Sequence, residues 1–153
     1  MDPQKEKDLW TSLFTAISLD TDNENEIIKT LDANKNNQNL KEIINKIDNS
    51  GCYEESMLMW AVWRMKKSVI IKLLDLGANQ HFSSNFGESV STYWNDSTIK
   101  EKGEDMAFEI AEILHQKGVN LERDSCNSYS IVRRARVHNF NVLSEKFKQL
   151  GYQ

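Results

Sequence analysis

The segment 56–79 reads SMLMWAVWRMKKSVIIKLLDLGAN and contains two apolar stretches with a basic turn between them. The first stretch, at 57–63, and the second, at 69–76, each have the length of a short helix. Gly77 follows the second stretch, where glycine commonly ends a helix because it adopts a left-handed backbone without strain. The segment therefore predicts two helices joined by a tight turn.

The spacing of serine and glycine around this helix pair recurs along the chain. Gly77 follows Ser56 at the same distance as Gly151 follows Ser130. Ser89 follows Ser56 at the distance that separates the starts of two neighbouring repeats. A fixed period of about 33 residues indicates an array of structural repeats, each too small to bury its apolar face alone.

One interval departs from the period. The stretch from Gly77 to Gly118 is longer than the period, although both glycines end an apolar helix pattern. We place the surplus in an inserted loop at 95–104, between a short helix around Ser89–Trp94 and an amphipathic helix at 105–116.

This period, with a glycine after the second helix, resembles the ankyrin-repeat family. The family's Thr-Pro-Leu-His tetrapeptide is degraded at every repeat, to Ser56-Met57-Leu58-Met59, Ser89-Val90-Ser91-Thr92 and Ser130-Ile131-Val132-Arg133. The lost proline and histidine imply that neighbouring repeats are held together mainly by apolar packing.

The resemblance implies one all-α domain over 1–153, an ankyrin-repeat solenoid of stacked helix–turn–helix units with short hairpin fingers. Its parts are a divergent helical N-terminal cap at 1–53, a repeat at 54–86, the repeat with the insertion at 87–127 and a C-terminal capping repeat at 128–153. Three weaker helical patterns within 1–50 fit such a cap.

In this family the fingers and the exposed end of the first helix of each repeat contact other proteins, and tryptophan and arginine dominate such contacts. Carried over to the matching positions, the resemblance implies a partner-binding groove lined by Trp63, Arg64, Met65, Phe82, Asn85, Phe86, Glu88, Asp96, Ser97, Cys126, Asn127, Tyr129, Val137 and His138.

Three aromatic residues leave alternatives open. We expect Trp63 to face outward because Trp60 fills the inward position, although Trp63 could instead cover the core of its repeat. Phe82 could pack under its finger instead of contacting a partner. Trp94 stands where the family has a small alanine, so it could reshape the core.

Composition limits the environment and the partners. The net charge of -4 disfavours nucleic acid and anionic membranes and favours a basic partner. The unpaired pattern of Cys52 and Cys126 indicates a reducing compartment. No leader or membrane-spanning stretch is evident, so we expect a cytoplasmic protein that is monomeric when free.

Catalysis is the third class of function considered. His81, His115 and His138 have no metal-ligand spacing, and we expect no metal or cofactor. Cys126 and His138 could act as nucleophile and base, but a third catalytic group is missing. We therefore do not expect an enzyme.

The resemblance therefore implies a module that binds and occludes a partner protein. Small ankyrin proteins of this kind resemble immunity proteins that inhibit a cognate toxin, with a basic toxin as the partner. The alternative is a secreted bacterial effector or viral host-range factor that engages a host protein in the host cytosol.

Overall fold

Helices form all of the regular secondary structure in the computed structural model, which describes residues 2–152. In chain order they are α1 (Pro3–Ser18), α2 (Glu24–Ala33), α3 (Leu40–Asn45), α4 (Met57–Trp63), α5 (Lys67–Asp75), α6 (Asp96–Lys102), α7 (Glu104–Gln116), α8 (Ile131–Val137) and α9 (Asn141–Gln149). An isolated antiparallel bridge joins Asp48 to Glu55. The predictions of an all-α fold and of helices within 1–50 are confirmed.

The described chain divides into two compact units, the first ending at Asn79 and the second beginning at Gln80. In the first unit, α1 packs against α4 and α2 packs against α5, so two helical hairpins lie side by side. In the second unit, α7 packs against both α6 and α9, and α8 packs against α9. The fully buried side chains at these contacts include Leu13, Ile17, Leu31, Val62, Ile70 and Leu73 in the first unit and Ala107, Ile110, Leu114, Ile131, Leu143 and Phe147 in the second.

The helix pair α4–α5 recurs later in the chain as α8–α9, at the offset that separates Ser56 from Ser130. The helices α4 and α8 each have seven residues, and α5 and α9 each have nine. The hydroxyl of Ser56 accepts a hydrogen bond from the Met59 N–H at 3.1 Å, and the hydroxyl of Ser130 accepts one from the Arg133 N–H at 3.2 Å. These N-caps satisfy amide groups that would otherwise lack partners at the helix start.

The turn inside each of these helix pairs places one residue in the left-handed region. Met65 has a φ of 51°, and Asn139, at the same offset along the chain, has a φ of 62°. A side chain costs about 1–2 kcal/mol in this conformation, and asparagine tolerates it better than most residues.

Asn139→Ala is therefore expected to lower the free energy of unfolding by about 1 kcal/mol, while Asn139→Gly leaves it unchanged or raises it slightly. Asn139 is exposed, so the two variants differ mainly in backbone strain. Urea denaturation followed by circular dichroism measures both. Equal stability of the alanine and glycine variants would contradict the strained backbone.

The segment after Ser89 differs from the prediction. Residues 89–94 form turns and not a helix, and the predicted loop at 95–104 contains α6. Trp94 explains the shift, because its side chain is only 1% exposed and its indole N–H donates to the Val90 carbonyl at 2.9 Å. An irregular segment seats this large ring in the core, and the helix begins only after it, at the Asn95 cap.

A buried lysine joins the α4–α5 turn to the end of α1. The Lys66 side chain is buried, and its ammonium donates to the carbonyls of Ala16 and Leu19 at 3.0 and 2.8 Å and to Asn23 Oδ1 at 2.7 Å. Arg64 Nε donates to the Ser18 carbonyl at 2.7 Å. Both cations lie where the last carbonyls of a helix carry partial negative charge.

Candidate protein-binding site

Two fingers of the second unit have similar turns built on a serine. We call residues 80–89 the second finger and residues 121–130 the third, because the segment around the Asp48–Glu55 bridge precedes them in the chain. In the second finger, Ser84 donates its N–H to the Glu88 carbonyl at 2.9 Å, and its hydroxyl accepts from the Phe86 and Glu88 N–H groups. In the third finger, residues 121–130, Ser125 donates its N–H to the Ser128 carbonyl at 2.9 Å, and its hydroxyl accepts from two following N–H groups. These side-chain bonds hold the turns without regular structure.

The two fingers lie next to each other. The Cys126 N–H donates to the Phe86 carbonyl at 3.2 Å, which pairs the backbones at the tips. Gly87 has a φ of 81°, and a Cβ placed on it would lie 3.6 Å from the Ser125 Cα. The close approach and the positive φ together favour glycine at this position.

The carboxylate of Glu88 connects the two fingers. Glu88 is 5% exposed, and its two carboxylate oxygens accept from the Ser125 hydroxyl at 2.6 Å and the Thr92 hydroxyl at 2.8 Å. The Ser91 hydroxyl adds a further bond, to the Arg123 carbonyl at 3.1 Å. Polar contacts therefore supplement apolar packing between these two fingers, which the sequence did not predict. Because Glu88 is used inside the unit, we leave it out of the contact surface.

The exposed ends of the two fingers form what we call the finger-tip surface, namely Asn85, Phe86, Cys126, Asn127 and Tyr129. Phe86 and Tyr129 are each 39% exposed, and the other three side chains are also exposed. All five were predicted contact residues. Two aromatic rings among small polar side chains give the composition common at the centre of protein interfaces.

A charged cluster continues from the finger-tip surface onto α8 and α6. The rings of Tyr129 and His138 are edge to face with centroids 6.1 Å apart, and His138 Nδ1 lies 2.5 Å from Asp96 Oδ2. Arg134 bonds the other oxygen of Asp96 at 3.0 Å. The predicted residues Asp96 and His138 are thus brought together with Tyr129.

Arg133 and Asp124 flank Tyr129 on its other side. The Arg133 guanidinium lies 5.1 Å from the Tyr129 ring centroid and bonds Asp124 at 2.8 Å. The Ser130 N–H donates to the same carboxylate at 2.8 Å. This backbone bond, aided by Arg133, lowers the pKa of Asp124, so the carboxylate stays ionised at neutral pH.

The other predicted residues of the second unit are Val137, Ser97 and Phe82. Val137 is 49% exposed at the end of α8, and Ser97 is exposed in the first turn of α6. Phe82 is half-buried, which is intermediate between the two alternatives considered for it.

The remaining predicted contacts, Trp63, Arg64 and Met65, belong to the first unit. Trp63 is half-buried, and its ring is edge to face with that of Trp60, which is also half-buried, at 6.1 Å. Arg64 is engaged with the end of α1, and Met65 is only 2% exposed. Trp63 and Arg64 are therefore partly exposed, whereas Met65 is buried.

Two exposed residues were missed in the sequence. Tyr53 is 46% exposed beside the Asp48–Glu55 bridge, and it precedes Phe86 by the same interval that separates Ser56 from Ser89. That offset could have identified it. Arg133 begins the basic run RRAR at 133–136, and nothing in that run indicates its position beside Tyr129.

Cys126 and His138 are the pair considered above as nucleophile and base. Cys52 and Cys126 are exposed free thiols, and His138 lies against Asp96 and Tyr129. Within residues 2–152 no group of three or more histidine, cysteine or acidic side chains could hold a metal ion. No helix in the same range is long and apolar enough to cross a membrane.

Comparison with known sequences adds no relative. No family model matches the chain, and no curated protein is significantly similar to it.

Proposed function

We propose that this chain is a divergent ankyrin-type repeat protein that binds another protein through the finger-tip surface of its second unit. The observation that carries the proposal is the exposed pair Phe86 and Tyr129 on two neighbouring fingers, each held by internal hydrogen bonds. The recurrence of the α4–α5 geometry in α8–α9 supports the repeat assignment. The extended surfaces of such repeats are suited to proteins and not to small molecules.

Rigid aromatic side chains favour binding because little conformational entropy is lost when they are covered. Phe86 and Tyr129 stand on turns in which the hydroxyls of Ser84 and Ser125 each accept two backbone N–H groups. The surface is therefore organised before a partner arrives. We further propose that binding occludes the partner, as an immunity protein does, in a reducing cytosol where Cys52 and Cys126 remain thiols.

Affinity capture with the tagged chain, followed by mass spectrometry, identifies the partner, and calorimetry with the purified partner tests the surface. Phe86→Ala and Tyr129→Ala are each expected to weaken binding by about 1 kcal/mol or more, which is about a fivefold rise in Kd. Trp63→Ala measures any contribution from the first unit. A captured toxin whose activity falls on binding supports inhibition, whereas a captured host protein supports the effector role.

Ile71→Ala is the matched control, because Ile71 is also 39% exposed but lies on α5 in the first unit. It should bind the partner as the wild type does. An unchanged Kd for both finger variants would contradict the proposed surface.

A further inference from the structure

The third finger repeats the turn of the second finger, whose tip receives the third finger through a backbone hydrogen bond. In the observed pair, the Phe86 carbonyl accepts the Cys126 N–H at 3.2 Å. The shift along the chain that superposes Gly77 on Gly118 also places Asn127 at the position of Phe86. No donor within residues 2–152 bonds the Asn127 carbonyl.

A depression of about 310 Å³ lies beside the turn of the third finger. It is lined by residues 124–129 together with Arg133, and none of its lining residues comes from the second finger. The depression is therefore formed by the third finger and the start of α8 alone. An exposed turn with an unused carbonyl beside a concave surface can add one more polypeptide segment through backbone bonding.

The charge at the depression selects the chemistry of that segment. The Arg133 side chain is 52% exposed and uses Nη1 for Asp124, which leaves further guanidinium N–H groups for a second carboxylate. A carboxylate also joins the two existing fingers, where Glu88 accepts from the Ser125 hydroxyl. The lining holds one cation, Arg133, and one acidic side chain, Asp124, and Asp124 is already bonded to Arg133 Nη1 and the Ser130 N–H. The guanidinium N–H groups that remain therefore favour a segment that brings a carboxylate of its own.

We infer that the third finger binds an acidic, extended or turned segment of the partner, which stacks on it as a further finger. One backbone N–H of the segment donates to the Asn127 carbonyl, one carboxylate pairs with Arg133, and the Tyr129 ring packs against the segment. This inference rests on the proposed function and specifies which part of a partner is recognised.

A phage-displayed library of random dodecapeptides, selected against the full chain, provides the probe. Selected peptides are expected to be enriched in Asp and Glu and to shift the amide resonances of residues 125–129 and Arg133 in NMR spectra. Arg133→Gln should weaken the best synthetic peptide about tenfold and Tyr129→Ala about fivefold. N-methylation of one peptide backbone nitrogen should weaken it to a similar degree, because it removes the donor to Asn127.

Lys148→Gln is the control for charge, since Lys148 is exposed on α9 and outside the depression. It should bind the peptides nearly as the wild type does, and Arg133→Lys should recover only part of the affinity. NMR spectra of each variant show whether it is folded.

Three results would overturn the inference: no selected peptides, peptides without acidic residues, or equal losses for Arg133→Gln and Lys148→Gln. If any of these occurs while the captured partner still depends on Phe86 and Tyr129, only this inference fails. If the captured partner binds independently of both aromatic residues, the proposed function fails as well.

Discussion

Trp94→Ala is expected to lower the free energy of unfolding by about 3–5 kcal/mol, the largest effect of any single substitution considered for this chain. Trp94 is the largest of the fully buried side chains, and its indole N–H is bonded to the Val90 carbonyl at 2.9 Å. Removing the ring leaves a cavity that neighbouring residues fill only in part, and leaves that carbonyl without its donor. Chemical denaturation monitored by far-UV circular dichroism measures the loss.

Trp94→Phe separates the two contributions. Phenylalanine keeps much of the ring volume but cannot donate to Val90, so the expected loss is smaller, about 1–2 kcal/mol. Trp63→Ala is a second comparison. Because Trp63 is half-buried, its loss of unfolding free energy should be smaller than that of Trp94→Ala. A loss below about 1 kcal/mol for Trp94→Ala would mean that the ring does not organise the segment 89–95.

Lys66→Met should lower the free energy of unfolding by about 2–3 kcal/mol, even though methionine is more hydrophobic than lysine. The ammonium has three acceptors, and two of them are carbonyls at the end of α1. Methionine relieves the cost of burying a charge, but the Leu19 carbonyl and Asn23 Oδ1 lose this donor in a partly buried site, while the Ala16 carbonyl still accepts from Asn23 Nδ2 at 2.9 Å. The measurement is the same urea denaturation.

Lys29→Met is the matched control, since Lys29 is exposed on α2, and its effect should stay within about 0.5 kcal/mol. If Lys66→Met were as stable as the wild type, the three hydrogen bonds would contribute no more than the burial of the charge costs.

The helix pairs could be predicted from sequence because their signals are local. A serine cap, an apolar run of helical length and a terminal glycine occur together at Ser56 and again at Ser130, and each acts within one or two turns of the chain. The same reasoning failed between Ser89 and Gly103. There the deciding interaction is the burial of Trp94, which depends on tertiary packing and overrides a local helix pattern.

The exposed aromatic residues of the candidate site could be predicted from the sequence, but the buried hydrogen bonds that hold the fingers together could not. Phe86 and Tyr129 stood out as aromatic residues within polar turns. Glu88 looked like one more exposed residue of a finger, and its burial became evident only when Thr92 and Ser125 were seen beside it. Met65 matched a glycine position of the family, which gives its backbone conformation but not the burial of its side chain.

The two cysteines have a practical consequence. Cys52 and Cys126 are exposed and belong to different units. Maleimide dyes can therefore label the native sequence at one site per unit. Energy transfer between the dyes would report the spacing of the two units in solution, with and without a bound partner.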